Sequence, residues 1–383
     1  MKRRTYLALA AAVLASLQTA RAEEPVKVGL ILPMTGPFAS TGRQIEAAAK
    51  LYIQEHGPVA GRTVELIVRD DAGIPDTTKR LAQDMVVNDK VSVLAGFGLT
   101  PLALAAAPIA TRAKVPEVVM AAATSSITAA SPYVVRTSQT VPQIADTMGV
   151  WAAKNGIASV VTIVTDYGPG IDSETWFKKG FEASGGKVLE SLRVPLANPD
   201  FAPFLQRAAD AKPSAVFVFV PSGPGSVFIR QFAERGLDKD GIKLIGMGDV
   251  VDDDIVNGMG DPAIGVITAQ HYSAAHDSAA NKAFVDAFRK ASGTRPNYMA
   301  VGGYDGMALI YKALAKTGGK TDGTALIEAM KGQSWESPRG PITIDPATRD
   351  IVQNVYMRKV ERVNGELYNV EFETFPAVKD PAK

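Results

Sequence analysis

The sequence predicts an α/β protein made of two doubly wound lobes. Short β-rich runs alternate with longer helical ones from Val26 onward, and the rhythm restarts after residue 140. The run 215–220, Ala-Val-Phe-Val-Phe-Val, is apolar at every position. Such alternation builds parallel sheets with helices on both faces, and a strand covered on both faces has no polar side to show. The 383 residues, 46% apolar and 21% charged, supply material for more than one core.

The elements follow in order. A strand at 26–32 is followed by a helix at 40–54, where Ile45, Ala48, Ala49 and Tyr52 share one face. Next come a strand at 64–68, a helix at 76–88, a strand at 91–95, an alanine-rich helix at 101–112, and short strands at 116–120 and 133–136. The second series runs helix 141–155, strand 159–164, helix 170–183, strand 187–194, helix 201–211, strand 215–220 and helix 225–235. Strands at 243–247 and 265–269 complete it, and helices near 281–290, 299–315 and 324–330 follow. Late strands read at 342–344 and 353–360, the second turning at Asn364-Gly365 into 367–373. The lobe boundary falls near 137–142, where the first run of strands ends.

Composition removes much chemistry. Lys plus Arg is 41 against 40 for Asp plus Glu, so no net field draws the chain to nucleic acid. The absence of cysteine excludes disulfides, thiolate metal sites, cysteine nucleophiles and lipid attachment through cysteine. Three histidines leave little for zinc or histidine-based catalysis, and His271 and His276, five apart, share no face of a helix or strand. The acidic run Asp252-Asp253-Asp254 reads as a helix opening rather than a cation site. No G-x-S-x-G elbow, phosphate loop or complete dinucleotide fingerprint is present. No cofactor, metal or catalytic residue is expected.

The first 22 residues read as an export signal. Lys2, Arg3 and Arg4 precede an apolar run at 7–17 that is too short to span a bilayer, and Ala20-Arg21-Ala22 supplies a small-x-small cleavage pattern. Cleavage after Ala22 leaves Glu23 first, with 37 basic and 40 acidic residues. The expectation is an exported, periplasmic monomer.

Ligands of open α/β sheets sit outside the carboxyl ends of the strands. The segments there are Pro33 to Pro37, Gly96-Phe97-Gly98-Leu99-Thr100, and Ala121-Ala122-Ala123-Thr124 in the first half. In the second half they are Asp166-Tyr167-Gly168-Pro169-Gly170, Pro221-Ser222, and Gly246-Met247-Gly248-Asp249. Thr100 and Thr124 stand at helix starts, where a hydroxyl beside free N–H groups either caps the helix or holds an anion. Several small polar loops at one edge favour the anion.

In this order the motifs resemble the type I periplasmic binding proteins, in their leucine/isoleucine/valine-binding branch. The resemblance rests on Met34-Thr35-Gly36-Pro37 with Gly42, Asp70-Asp71-Ala72, Thr100, Ala122-Ala123-Thr124, Arg136-Thr137, Tyr167-Gly168-Pro169-Gly170, the helix at 229–237, and Tyr304-Asp305. It spans about residues 26–368. It implies a receptor whose two lobes close on one solute and deliver it to a membrane-embedded ABC permease. It also implies three crossings between lobes, with residues 23–137 and 273–352 in one and 138–272 and 353–383 in the other. By motif position, Thr100, Ala122 and Thr124 would hold a ligand carboxylate and Tyr167 would close over it. Thr41, Phe97 and Ser222 complete the candidate set. The aromatic that leucine binders carry after the strand at 215–220 falls near Pro221-Ser222, and their ammonium-binding glutamate falls at Gly248, beside Asp249. The expected ligand is a small carboxylate, first a branched-chain or hydrophobic amino acid, alternatively an aromatic or other organic acid without an ammonium. An exported α/β hydrolase is the remote alternative.

Overall fold

The computed structural model describes residues 24–383, so the expected export segment lies outside the described residues. Two sheets organise the chain. The first comprises β1 (Val26–Leu32), β2 (Val64–Asp70), β3 (Val93–Gly96), β4 (Glu117–Val119) and β5 (Val134–Arg136), all parallel in the order β2-β1-β3-β4-β5. Its connecting helices are α1 (Ala39–His56), α2 (Pro75–Asp84) and α3 (Thr100–Ala113). Strand alternation explains the layers: Val26, Val28, Leu30 and Leu32 face the core that α1 shares, while Ile31 faces the core of α2 and α3.

The second series contains α4 (Val141–Lys154), β6 (Ser159–Thr165), α5 (Gly168–Ala183), β7 (Lys187–Val194), α6 (Ala202–Ala211), β8 (Ala215–Phe219), α7 (Gly225–Glu234) and β9 (Lys243–Met247). A one-turn helix α8 (Val256–Met259) and β10 (Ile267–Gln270) follow. In β8, Val216 and Val218 enter one core while Ala215, Phe217 and Phe219 enter the other, which is why the strand carries no polar residue. The chain then forms α9 (Ala279–Ser292), α10 (Tyr298–Lys316) and α11 (Gly323–Met330), and strands β11 (Ser334–Ser337), β12 (Gly340–Ile344), β13 (Ile351–Val363) and β14 (Glu366–Val378). The second sheet runs β11-β12-β13-β10-β9-β8-β6-β7, with β14 against β13.

The cores reveal where the chain passes between the two bodies. Val135 packs with the first sheet and Val141 with the second; Ala269 packs with the second and Tyr272 with the first. Within β13, Ile351 belongs to the first core and Val355 to the second. The β13–β14 hairpin turns where Asn364 (φ 50°) and Gly365 (φ 88°) both adopt positive φ, as a tight two-residue turn requires. Both hairpin strands are longer than the sequence pattern suggests. Neither β11 nor α8 was legible in the sequence, because Ser-Trp-Glu-Ser carries no apolar run and a single turn carries no period.

One buried acid has no evident purpose in the packing. Glu117, fully buried at the start of β4, lies on the same side of the strand as Val119, which packs toward α3. Neither carboxylate oxygen has a hydrogen-bond partner among the described residues, and burial pushes the carboxyl well above the usual range. The folded state therefore holds this proton to higher pH than the unfolded chain, so stability declines as pH rises above about 4.3, the unfolded glutamate value. Glu117→Met, of similar length but without polar atoms, is expected to raise stability at pH 7 by about 1–3 kcal/mol. The gain should shrink toward pH 4, as followed by denaturant unfolding across that range.

Candidate functional site

The carboxyl ends of the two sheets face each other across a cavity of about 590 Å³, its mouth included. The first wall contributes Pro37, Phe38 and Thr41 from the entry to α1, Thr100 from the start of α3, and Ala121 to Ala123 after β4. The second contributes Tyr167, Phe219, Ser222 and Asp249. Gln139 comes from the first crossing, and Tyr298 and Met299 from the start of α10.

On the first wall neither threonine hydroxyl caps its helix. Thr100 Oγ1 and Thr124 Oγ1 instead hydrogen-bond each other at 2.8 Å. Thr124 is not among the residues that line the cavity, and its hydroxyl faces the second wall, where a Cβ on Gly168 would lie 3.3 Å from it. The loop after β4 is set by Arg136, which is fully buried. Its Nη1 donates to the carbonyl oxygens of Thr124 (2.8 Å) and Ala122 (3.4 Å), while Nε and Nη2 donate to Asp350 Oδ1 at 2.8 and 2.6 Å. In a trans peptide the N–H points opposite to the carbonyl, so this clamp turns the N–H groups of Ala123 and Ser125 away from Arg136. That of Ser125 meets Asp172 Oδ2 on α5 at 3.2 Å, and Ala123 lines the cavity.

Two expectations are corrected here. The Ala122 N–H is engaged by the Phe97 carbonyl at 3.0 Å, so the N–H that this loop offers to the cavity belongs to Ala123. Phe97 does not line the cavity: its side chain is fully buried among Ala103, Ala106 and Ile127. Its backbone, at φ 65°, joins the β1 and β4 loops by donating to the Ile31 carbonyl and accepting from Ala122.

On the second wall the strand-to-helix turn after β6 is tight enough that a Cβ on Gly170 would lie 1.7 Å from the Thr165 carbonyl oxygen. This turn presents Tyr167, whose ring stacks on Phe219 with centroids 6.2 Å apart. Ser222 Oγ donates to Asp252 Oδ2 at 2.8 Å, and Ser40 Oγ to Asp254 Oδ2 at 2.5 Å. Asn297 Nδ2, at the cap of α10, reaches both acids at 3.0 and 3.1 Å. The acidic run thus bridges the second wall to α1 and α10 by hydrogen bonds.

Asp249 is buried at the same edge. Tyr298 O–H donates to its Oδ1 at 2.5 Å, and Gln270 Nε2 lies 3.4 Å from Oδ2. Burial pushes its carboxyl up to about 6, against the opposing pull of the Tyr298 bond and the Arg358 charge. Next to it, Gly248 has no room for a side chain, because a Cβ there would lie 2.1 Å from Arg358 Nη2. Arg358 is itself buried, with Nη2 donating to Thr268 Oγ1 at 3.2 Å and Nη1 to the Tyr272 carbonyl.

Sequence reasoning therefore found Thr41, Thr100, Ala122, Tyr167, Ser222 and Asp249 at the cavity, and missed Gln139, Tyr298 and Met299. Arg136 was visible only as part of a motif without a role. Tyr298 carried no signal, since it lies in a helix remote in sequence from every strand end. The histidines do not line the cavity. His271 is buried with Nδ1 2.8 Å from Gln270 Oε1, and His276 Nδ1 pairs with Glu371 Oε2 at 2.8 Å. With the cavity serines bound to aspartates and no histidine beside them, the geometry gives the hydrolase alternative no support.

A family model described as periplasmic binding protein matches residues 25–366. The chain is 44% identical to the Leu/Ile/Val-binding protein homolog 6 of Brucella melitensis, over 100% of this chain and 99% of that protein. A solute-binding protein of an ABC transporter from Rhodopseudomonas palustris BisB5, solved with 3,4-dihydroxybenzoic acid, superposes with a TM-score of 0.92 at 66% identity, covering 94% of this chain and 99% of the other. A second R. palustris solute-binding protein, solved with 4-hydroxybenzoate, gives a TM-score of 0.91 at 44% identity over 94% and 99% of the two chains. The fold agrees with these solved relatives over nearly their whole length. The chain belongs to the type I periplasmic binding protein family, in its Leu/Ile/Val-binding branch, and serves as the substrate-binding component of an ABC transporter.

Proposed function

We propose that the cavity takes an aromatic carboxylate. The observation that carries this reading is Gly248. At the position where the leucine binders carry an ammonium-binding glutamate, the space is occupied by the Arg358 guanidinium. A cation in that place repels an ammonium, and a buried ammonium without an anionic partner costs several kcal/mol. Asp249, the nearest acid, stands one residue later, with one of its two oxygens taken by Tyr298. The stacked Tyr167 and Phe219 rings, with Phe38, Leu99 and Met299, form an apolar lining suited to a flat ring. The carboxylate would sit at the first wall, on the Thr100 hydroxyl and the Ala123 N–H, with Thr124 orienting Thr100. The dihydroxybenzoate held by the 66% identical relative supports the same class.

The two walls then belong to two lobes, residues 23–137 with 273–352 and residues 138–272 with 353–383. The protein is exported with cleavage after Ala22, acts as a periplasmic monomer, and hands its ligand to a membrane-embedded permease. A branched-chain amino acid is the second reading, favoured by the naming of the Brucella relatives.

Calorimetry separates the two readings. Hydroxybenzoates should bind at least about a hundredfold more tightly than leucine, a difference of about 2.7 kcal/mol. Tight leucine binding with no response to the aryl acids would reverse the assignment. Thr100→Val should weaken aryl-acid binding roughly ten- to a hundredfold, as for the loss of a hydrogen bond to a charged group worth about 1.5–3 kcal/mol. Thr124→Val should cost less, because it removes only the bond that orients Thr100.

Closure is also testable. A Cβ on Gly223 would stand 2.9 Å from the Pro37 carbonyl oxygen across the cleft. Gly223→Val should hold the walls apart and lower ligand affinity, while the melting temperature of the ligand-free protein changes little. Unaltered affinity would show that the walls need not meet there.

A further inference from the structure

The aromatic-acid reading leaves one group in the cavity under-supplied. Asp249 is only 6% exposed, and its carboxyl, at about 6, is mostly ionised at neutral pH. A carboxylate accepts up to about four hydrogen bonds. Here Oδ1 receives the Tyr298 hydroxyl at 2.5 Å, Oδ2 has the long Gln270 contact at 3.4 Å, and the residue's own backbone N–H supplies one further bond, which leaves acceptor capacity unused. The charged and titratable groups around it are Tyr167, Tyr298, Asp252 and Arg358. Among the described residues neither lysine nor arginine lines the cavity, so no side-chain cation there answers the carboxylate directly. A ligand carboxylate cannot do so either; like charges in a small cavity repel, which keeps the ligand's anionic end at the Thr100 wall.

Resting on the aromatic-carboxylate reading, we propose that Asp249, held by Tyr298, is a donor-reading subsite that selects aromatic acids bearing an O–H or N–H on the ring opposite the carboxylate. The opposition follows from the placement of the groups. Thr100 and Ala123 belong to the edge of the first sheet and Asp249 to the edge of the second, so a ring between them points one end to each. Tyr298 consumes one oxygen and fixes the carboxyl plane, leaving the other oxygen as an acceptor. A substituent that only accepts, or none at all, leaves that buried oxygen with no donor closer than the long Gln270 contact, the situation in which sites discriminate most strongly.

The test is calorimetry on the full mature chain with benzoate, 4-methoxybenzoate, 4-hydroxybenzoate and 4-aminobenzoate. The wild-type protein should bind the hydroxy and amino acids at least about tenfold more tightly than benzoate and the methoxy acid. In Asp249→Asn this preference should fall to within about threefold while benzoate affinity is kept or improved, since the removed charge repels the ligand carboxylate. Equal binding of all four acids by the wild type overturns the subsite and leaves the aromatic-acid reading intact; binding of none overturns that reading itself. An equal loss for all four acids in Asp249→Asn assigns the residue a structural role and also overturns the proposal. The wild-type series decides the matter even if the variant fails to fold.

Discussion

The Arg136 guanidinium is the constraint on which the binding edge depends. It draws the carbonyl oxygens of Ala122 and Thr124 inward and so points the opposed N–H of Ala123 away from itself. A fully buried arginine persists only when its charge and its donors are met. Asp350 meets them with one oxygen, and Lys383 lies 3.6 Å from the other. The planar fork is essential, since a lysine could not hold two carbonyls and a carboxylate in fixed directions at once. Asp350 immediately precedes β13, the strand that passes from the first core to the second. One ion pair therefore fixes both the loop after β4 and the third crossing.

Polar groups recur at the other crossings. Arg339 pairs with Asp305 at 2.7 Å and donates to Gln353 at 2.9 Å, while Gln143 completes the capping box of α4 and reaches the Ile351 and Val378 carbonyls at 2.8 Å. Such networks are directional where apolar packing is not, so they set the path of each crossing segment. The contacts between the walls, Ser40 with Asp254 and Tyr298 with Asp249, are likewise hydrogen bonds.

A steric fact also shapes the second wall. Arg358 fills the space beside Gly248, and the acid that remains stands one residue later, tied to α10.

Much of this was legible in the sequence. The two α/β series, the doubly covered strand at 215–220 and the strand-end loops follow from periodicity, because side-chain burial imposes a period on each element locally. Thr100, Tyr167 and Asp249 could be found because a ligand site in this architecture must lie at strand ends. Peptide orientation was not legible: whether Ala122 or Ala123 turns its N–H to the cavity depends on Arg136, which is itself held by Asp350, far along the chain. The loss of room at Gly248 to Arg358 and the binding of Asp249 by Tyr298 were equally hidden, since each joins segments separated by about fifty residues or more. Sequence determined the elements and the edge where binding occurs, because those are set by local pattern and by strand order. Tertiary structure alone decided the chemistry of that edge, because hydrogen bonds and steric exclusion act between residues that only the fold brings together.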